Sequence, residues 1–211
     1  MRLASLRPRY VAARIRRMLF ARAHPGAPLL AIPAIELLDD WIRPSHDMLE
    51  YGSGHSTRWF GERCGSLTSV ENMPEWHQIV ARETADLDNV RVELLEGNSA
   101  PGAIAGGGGA HSDRPMDGPQ VAESYIAFIE QFEPRSFDLV LNDAWCRHQI
   151  GFRAVPPVRA GGLLIWDDVI HEDLQASPTP EVARFLDLVK EWRHVSFDDG
   201  VHRTTFYWAP P

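Results

Sequence analysis

The sequence predicts one α/β domain: a seven-stranded, mostly parallel sheet with helices on both faces and an antiparallel last strand. Three observations predict it. From residue 36 onward, short β-prone runs interchange with helical ones, which is the order of a wound parallel sheet. One such run ends at Glu50 and opens directly into Gly52-x-Gly54 and a hydroxyl-rich segment, the signature of a strand–turn–helix unit. The chain closes with two strand-like runs, 193–198 and 203–209, joined at Asp199-Gly200, a strong hairpin signal.

Composition agrees with this. A chain of 211 residues fills one α/β core and is short for two. Hydrophobic content of 44% and charged content of 24% are those of a soluble globular protein. No apolar run is long enough to span a bilayer. Cys64 and Cys146 form neither a disulfide framework nor a zinc spacing, so both read as free thiols of a reducing compartment, the cytoplasm. The net charge is −8, yet residues 1–35 hold arginines and no acid. The body beyond them is therefore strongly acidic, which argues against a nucleic-acid surface there.

Taken in order, residues 3–22 set Leu3, Leu6, Tyr10, Val11, Ile15, Met18 and Leu19 along one helical face with arginines elsewhere. This is read as an added helix packed on the domain or on a second copy in a homodimer, with an anionic membrane surface as the other option. His24-Pro25-Gly26 breaks it, which divides the chain into a basic helix and linker (1–35) and the main domain (36–211). A helix over 32–42 carries Pro33 in its first turn. Strand one runs to Glu50, and a crossover helix follows from Ser56 to Cys64. Strand two spans 66–71 and ends in Glu71, at a position where a carboxylate can accept both ribose hydroxyls of a nucleoside. A helix over 74–85 carries Trp76, Ile79 and Val80 on its apolar side, and strand three covers 90–96. Residues 100–119 contain Gly106-Gly107-Gly108-Gly109 and read as a flexible loop, since no P-loop lysine follows. A helix over 120–133, strand four over 137–143 and a helix over 147–159 come next. Strand five, turning in at Arg159-Ala160-Gly161-Gly162, ends at Asp167-Asp168, and a helix over 180–192 precedes the closing hairpin.

A dinucleotide fingerprint needs a third glycine at Thr57. What stands instead, Glu50-x-Gly52-x-Gly54, resembles the first motif of class I S-adenosylmethionine (AdoMet)-dependent methyltransferases. Glu71, Phe137-Asp138-Leu139-Val140 leading to Asp143, and the turn before strand five follow in that family's order. The resemblance covers about residues 36–209 and implies its Rossmann-like sheet. It also implies a cofactor site in which Glu50, Gly52 and Gly54 carry the methionine moiety, with Ser53 beside them. Glu71 and Asn72 would serve the ribose, and Asn98 and Ser99 the adenine, which Met73 could cover.

The acceptor side gathers carboxylates: Asp143, Asp167 and Asp168 end neighbouring strands. Asp143-Ala144-Trp145 and Asp167-Asp168 are similar to the ligand segments of cation-dependent catechol-type O-methyltransferases, which implies Mg²⁺ on these three residues. The same carboxylates could instead cap helices or pair with Arg147 or Arg153. The lysine base of those enzymes is replaced by Cys146, so Asp143, Arg147 and His148 are the candidate catalytic groups. Trp145, Trp166 and His171 could line the acceptor pocket. The expected activity is methyl transfer to a small molecule, at oxygen. The competing readings are an NAD(P)-dependent oxidoreductase, opposed by Thr57, and a non-catalytic scaffold that uses the basic helix for membrane or partner binding.

Overall fold

The computed structural model describes residues 8–95 and 119–211. Asn98, Ser99 and the glycine-rich loop lie outside them. Seven strands form one sheet in the order β3-β2-β1-β4-β5-β7-β6. They are β1 (Asp47–Tyr51), β2 (Ser66–Glu71), β3 (Val90–Leu94), β4 (Phe137–Asn142), β5 (Val158–Asp167), β6 (Arg193–Asp198) and β7 (Arg203–Trp208). The first five run parallel, and β7 is antiparallel to both β5 and β6. The chain works outward from β1 to β3, then returns to lay β4 on the other side of β1. That reversal opens a crevice at the carboxyl ends of β1 and β4, which is where sheets of this topology bind ligands.

Eight helices flank the sheet among the described residues: α1 (Pro8–Ala23), α2 (Ile32–Trp41), α3 (His55–Gly61), α4 (Pro74–Glu83), α5 (Pro119–Ile129), α6 (Arg147–Ile150), α7 (His171–Ala176) and α8 (Pro180–Leu188). Because strand side chains alternate, Met48, Leu139, Leu141, Ile165 and Phe206 build one core with α2 and α3. Leu49, Tyr51, Val140, Leu164 and Trp166 build the other with α5 and α8. The central strands β4 and β5 are thus apolar on both faces, as a sheet covered twice requires.

Several expectations need correction. The helix read over 147–159 stops after one turn at Ile150 and continues as a 3-10 turn over Gly151–Arg153. There the chain hugs Trp166 so closely that a Cβ on Gly151 would lie 2.3 Å from its ring. Trp166 itself is wholly buried core and lines no pocket. Helix α4 buries only Val80; Ile79 is exposed, and the Trp76 indole N–H donates to the Ser53 carbonyl at 2.7 Å. Helix α7 escaped the sequence reading because it is only six residues long. Its His171 is buried, stacked on His194 and bonded through Nδ1 to the Tyr207 hydroxyl at 2.9 Å.

The last concerns α1. It does pack on the domain, but not by its apolar face. Tyr10, Val11, Ile15, Met18 and Leu19 are all exposed. Arg16 donates to the Asp199 carbonyl at 2.6 Å, and Arg17 to the carbonyls of Leu30 and Pro28 at 2.7 and 2.6 Å. Among the described residues, no helix is long and apolar enough to cross a membrane.

Asp199 does more than turn the hairpin. Its buried carboxylate accepts the N–H groups of Val201 and His202, both at 2.8 Å, and that of Ile32 at the start of α2, at 3.1 Å. Burial raises its pKa, but the N–H groups of His202, Ile32 and Val201 outweigh this and leave it below the ordinary 3.8. A depressed carboxyl lends stability above its ordinary pKa and withdraws it as pH falls through the folded value. Asp199→Ala should cost about 2–4 kcal/mol in urea unfolding near neutrality, by leaving buried N–H groups unpaired. The deficit should shrink as the pH is lowered below about 4.

Candidate functional site

The crevice is built on one close approach. Gly52 has φ +94°, and a Cβ there would lie 2.7 Å from the Asp143 carbonyl oxygen. Only glycine allows β1 to turn away while the end of β4 presses against it. Asp143 N–H donates to the Tyr51 carbonyl at 2.9 Å, while Gly52 and Ser53 N–H both donate to Val70 at 3.0 and 3.1 Å. The loop is thereby tied to the strands on both sides. Gly54 differs: its backbone is extended, and a Cβ would meet only Ser56, at 3.6 Å or more.

Beneath the loop lies Glu50, fully buried. Ser56, Thr57 and Ser69 hydroxyls each donate to its carboxylate at 2.6 Å. Since the Ser69 proton goes to Glu50, the 2.8 Å contact between Ser53 and Ser69 is a bond that Ser53 donates. Thr57 in turn accepts the Gly54 N–H at 2.9 Å. Thr57 therefore joins the carboxylate to the loop, a role that a glycine at this position could not fill. Sequence reasoning took Thr57 only as a missing glycine and overlooked Ser69. The signal was present as hydroxyls at the start of α3 and within β2. Burial pushes Glu50 up to about 7, with the three hydroxyls opposing and Asp143 adding to the rise.

Glu71, at the end of β2, is 5% exposed and accepts the N–H groups of Asn72 and Met73, both on Oε1 at 2.8 Å. Asn72 is buried, and its Oδ1 accepts the Tyr125 hydroxyl at 3.3 Å. Burial raises Glu71 to about 7, against the two N–H groups and with Asp143 contributing. Asp143 thus stands within electrostatic reach of both glutamates.

Two solved structures cover nearly the same span. The O-methyltransferase TomG of Streptomyces achromogenes, involved in tomaymycin synthesis and solved with SAM, is 16% identical. The match covers 97% of this chain and 91% of that one, with a TM-score of 0.57. An O-methyltransferase of Bacillus cereus, solved with SAH, is 18% identical over 98% and 93%, with a TM-score of 0.54. The fold is that of these O-methyltransferases. No protein-family model and no curated protein matches the sequence.

In this methyltransferase fold the far side of the crevice holds Asp143, Asp167 and Asp168, brought together as the sequence suggested. They do not face an open cation site, because Arg147 stands among them. Its Nη2 lies 3.1 Å from the Asp143 carboxylate and its Nη1 3.4 Å from that of Asp168. Its Nε donates to the Ala144 carbonyl at 2.9 Å, and Nη1 to that of Asp167 at 3.0 Å. Asp167 takes a bond from Thr204 at 3.2 Å. Asp168 holds φ +57°, a left-handed conformation that aspartate tolerates.

The guanidinium already pairs with two of the three carboxylates a divalent ion would bridge. Among the described residues, no group of three or more His, Cys, Asp or Glu is arranged to hold a metal. In this arrangement the carboxylates pair with a cation of the chain's own rather than closing a cage around an ion. Arg147 spends its donors on this frame rather than on a substrate. Burial lifts Asp143 above its ordinary value and Arg147 pulls it back, while a 31% exposed side chain lets water moderate both. Asp167 is driven well up by burial and by Asp143 and Asp168. His148 is exposed and packs its ring edge-on against Trp166, and Trp145 is 44% exposed.

A carboxyl whose folded pKa is raised contributes stability below its unfolded value and loses it as pH rises through the folded one. Glu50 and Glu71, ordinarily at 4.5 and here at about 7, should make the protein less stable at neutral pH than in mild acid. The contribution is at most about 3 kcal/mol each. Urea midpoints should fall between about pH 5 and pH 8, and Glu71→Gln should flatten part of that slope.

Proposed function

We propose that this chain is a class I AdoMet-dependent methyltransferase that methylates a small-molecule acceptor at oxygen. The observation that carries the reading is the pairing of two features at the reversal point of the sheet. These are the Gly52 loop pressed on Asp143, and the buried, backbone-clamped Glu71 one strand away. TomG and the Bacillus cereus enzyme, which share the fold, were solved with SAM and SAH respectively.

AdoMet supplies an electrophilic methyl group on a sulfonium. The chain's own residues bind, align and exclude water, since an in-line displacement gains most from orientation. The Gly52–Gly54 backbone receives the methionine end, and Glu50 acts through that loop, its carboxylate being committed to three hydroxyls. Glu71 takes the ribose through Oε2, because Oε1 is held by Asn72 and Met73. Asn98 and Ser99 are assigned to the adenine edge. On the acceptor side Asp143 is the proton acceptor, since a carboxylate raised toward neutrality and still reached by water suits that work. Arg147 fixes its orientation, and the exposed Trp145 is the residue left to flank an acceptor. Buried, unbridged Cys64 and Cys146 support a reducing compartment, the cytoplasm.

Calorimetry tests the donor. AdoMet should bind and NADH should not. Glu71→Ala, verified as folded, should weaken AdoMet by about 10- to 100-fold through loss of a charge-assisted bond. Binding of NADH alone would sink the proposal, and binding of neither would favour a non-catalytic scaffold. Because Arg147 fills the carboxylate cluster, Mg²⁺ and chelator should both leave AdoMet affinity unchanged. A Mg²⁺-dependent gain that vanishes in Asp143→Ala would restore the cation. Arg147→Ala should destabilise the fold by about 1–2 kcal/mol in urea unfolding, since Asp143 and Asp168 lose their counter-charge while staying partly open to water.

A further inference from the structure

Helix α1 is docked the wrong way round for an ordinary amphipathic helix. Its arginine side, through Arg16 and Arg17, grips the backbone carbonyls of Pro28, Leu30 and Asp199. Its apolar side faces out, with Ile15 49%, Met18 47% and Leu19 56% exposed. An open apolar groove lined by Ile15, Leu19, Phe20 and Ile32 continues that face toward α2. A contiguous exposed apolar face on an otherwise soluble chain marks an interaction site.

The charge pattern says what covers it. The helix carries no acid. Arg14 and Arg22 fall within the outward arc by helical spacing, and both are exposed. A second copy packed face to face on this stripe would bring arginines onto a helix that holds no acid to pair them, which like-charge repulsion opposes. Anionic headgroups match them, and arginine stems can lie along an apolar surface while their heads reach a phosphate.

We propose that α1 is an interfacial helix that seats the protein on an anionic membrane surface, with Ile15, Met18 and Leu19 in the acyl boundary and Arg14 and Arg22 on the headgroups. The binding draws on buried apolar area and on charge together, as interfacial helices do. Arg16 and Arg17 keep the helix fixed to the body. The Asp199 turn that Arg16 grips leads into β7 where Thr204 pairs with Asp167 at the end of β5, so α1 flanks the carboxyl edge of the sheet.

The test is co-sedimentation of the full chain, at low and high salt, with vesicles of phosphatidylcholine mixed with phosphatidylserine and with pure phosphatidylcholine. The chain should pellet with the mixed vesicles at low salt and be released by salt. Ile15→Glu/Leu19→Glu and Arg14→Ala/Arg22→Ala should each weaken binding by about tenfold or more. Matching thermal unfolding would show both variants folded, since all four side chains are exposed. No pelleting at low salt would overturn the proposal, and so would pelleting that Ile15→Glu/Leu19→Glu leaves intact. A dimer in sedimentation velocity that this variant dissolves, with no vesicle binding by the unmodified chain, would assign the face to a second copy.

Discussion

The close approach of Gly52 to the Asp143 carbonyl is the constraint on which the crevice depends. It occurs where the chain reverses its direction across the sheet, so two strands distant in sequence end side by side with a gap above them. A side chain at Gly52 would wedge them apart and remove the backbone from the ligand edge. The N–H groups of the loop are tied to Val70 on one side, and the Asp143 N–H is tied to Tyr51 on the other. The loop is therefore held on both sides before any ligand arrives.

That rigidity is reinforced from below by an uncommon arrangement, a wholly buried carboxylate satisfied by three hydroxyls. Isolated burial of Glu50 would be costly, and the hydroxyls of Ser56, Thr57 and Ser69 offset much of the cost. In return they join β1, β2 and the start of α3 into one polar unit under the glycines. Glu71 repeats the device with backbone N–H groups. Both carboxyls end near neutrality, so the donor side carries groups whose charge responds to small changes of surroundings.

On the acceptor side the same physics is resolved differently. Carboxylates converging on one edge need a counter-charge, and a cation from solution is one solution. Here the chain supplies its own in Arg147, planar and rich in donors, which reaches Asp143, Asp168 and three carbonyls at once. A fixed guanidinium orients Asp143 without coordinating an acceptor, which shifts the work of positioning a substrate to the exposed residues around it.

Periodicity, turn residues and the order of motifs determined the sheet, the antiparallel last strand and the carboxylates at the strand ends. These depend on local pattern, which survives in a linear reading. Helix limits near 147–159 were not legible, because Gly151 and Trp166 meet only through packing. The partners of Glu50 were equally hidden, since Ser69 lies on another strand and hydroxyls look alike until one is buried. Whether three aspartates hold a metal or an arginine turned on where a single side chain points, and spacing says nothing of that. The sequence by itself determined that α1 is amphipathic and basic. Only the tertiary structure decided that Arg16 and Arg17 face the body while Ile15, Met18 and Leu19 face out, because the carbonyls of Pro28, Leu30 and Asp199 take up those two guanidinium groups.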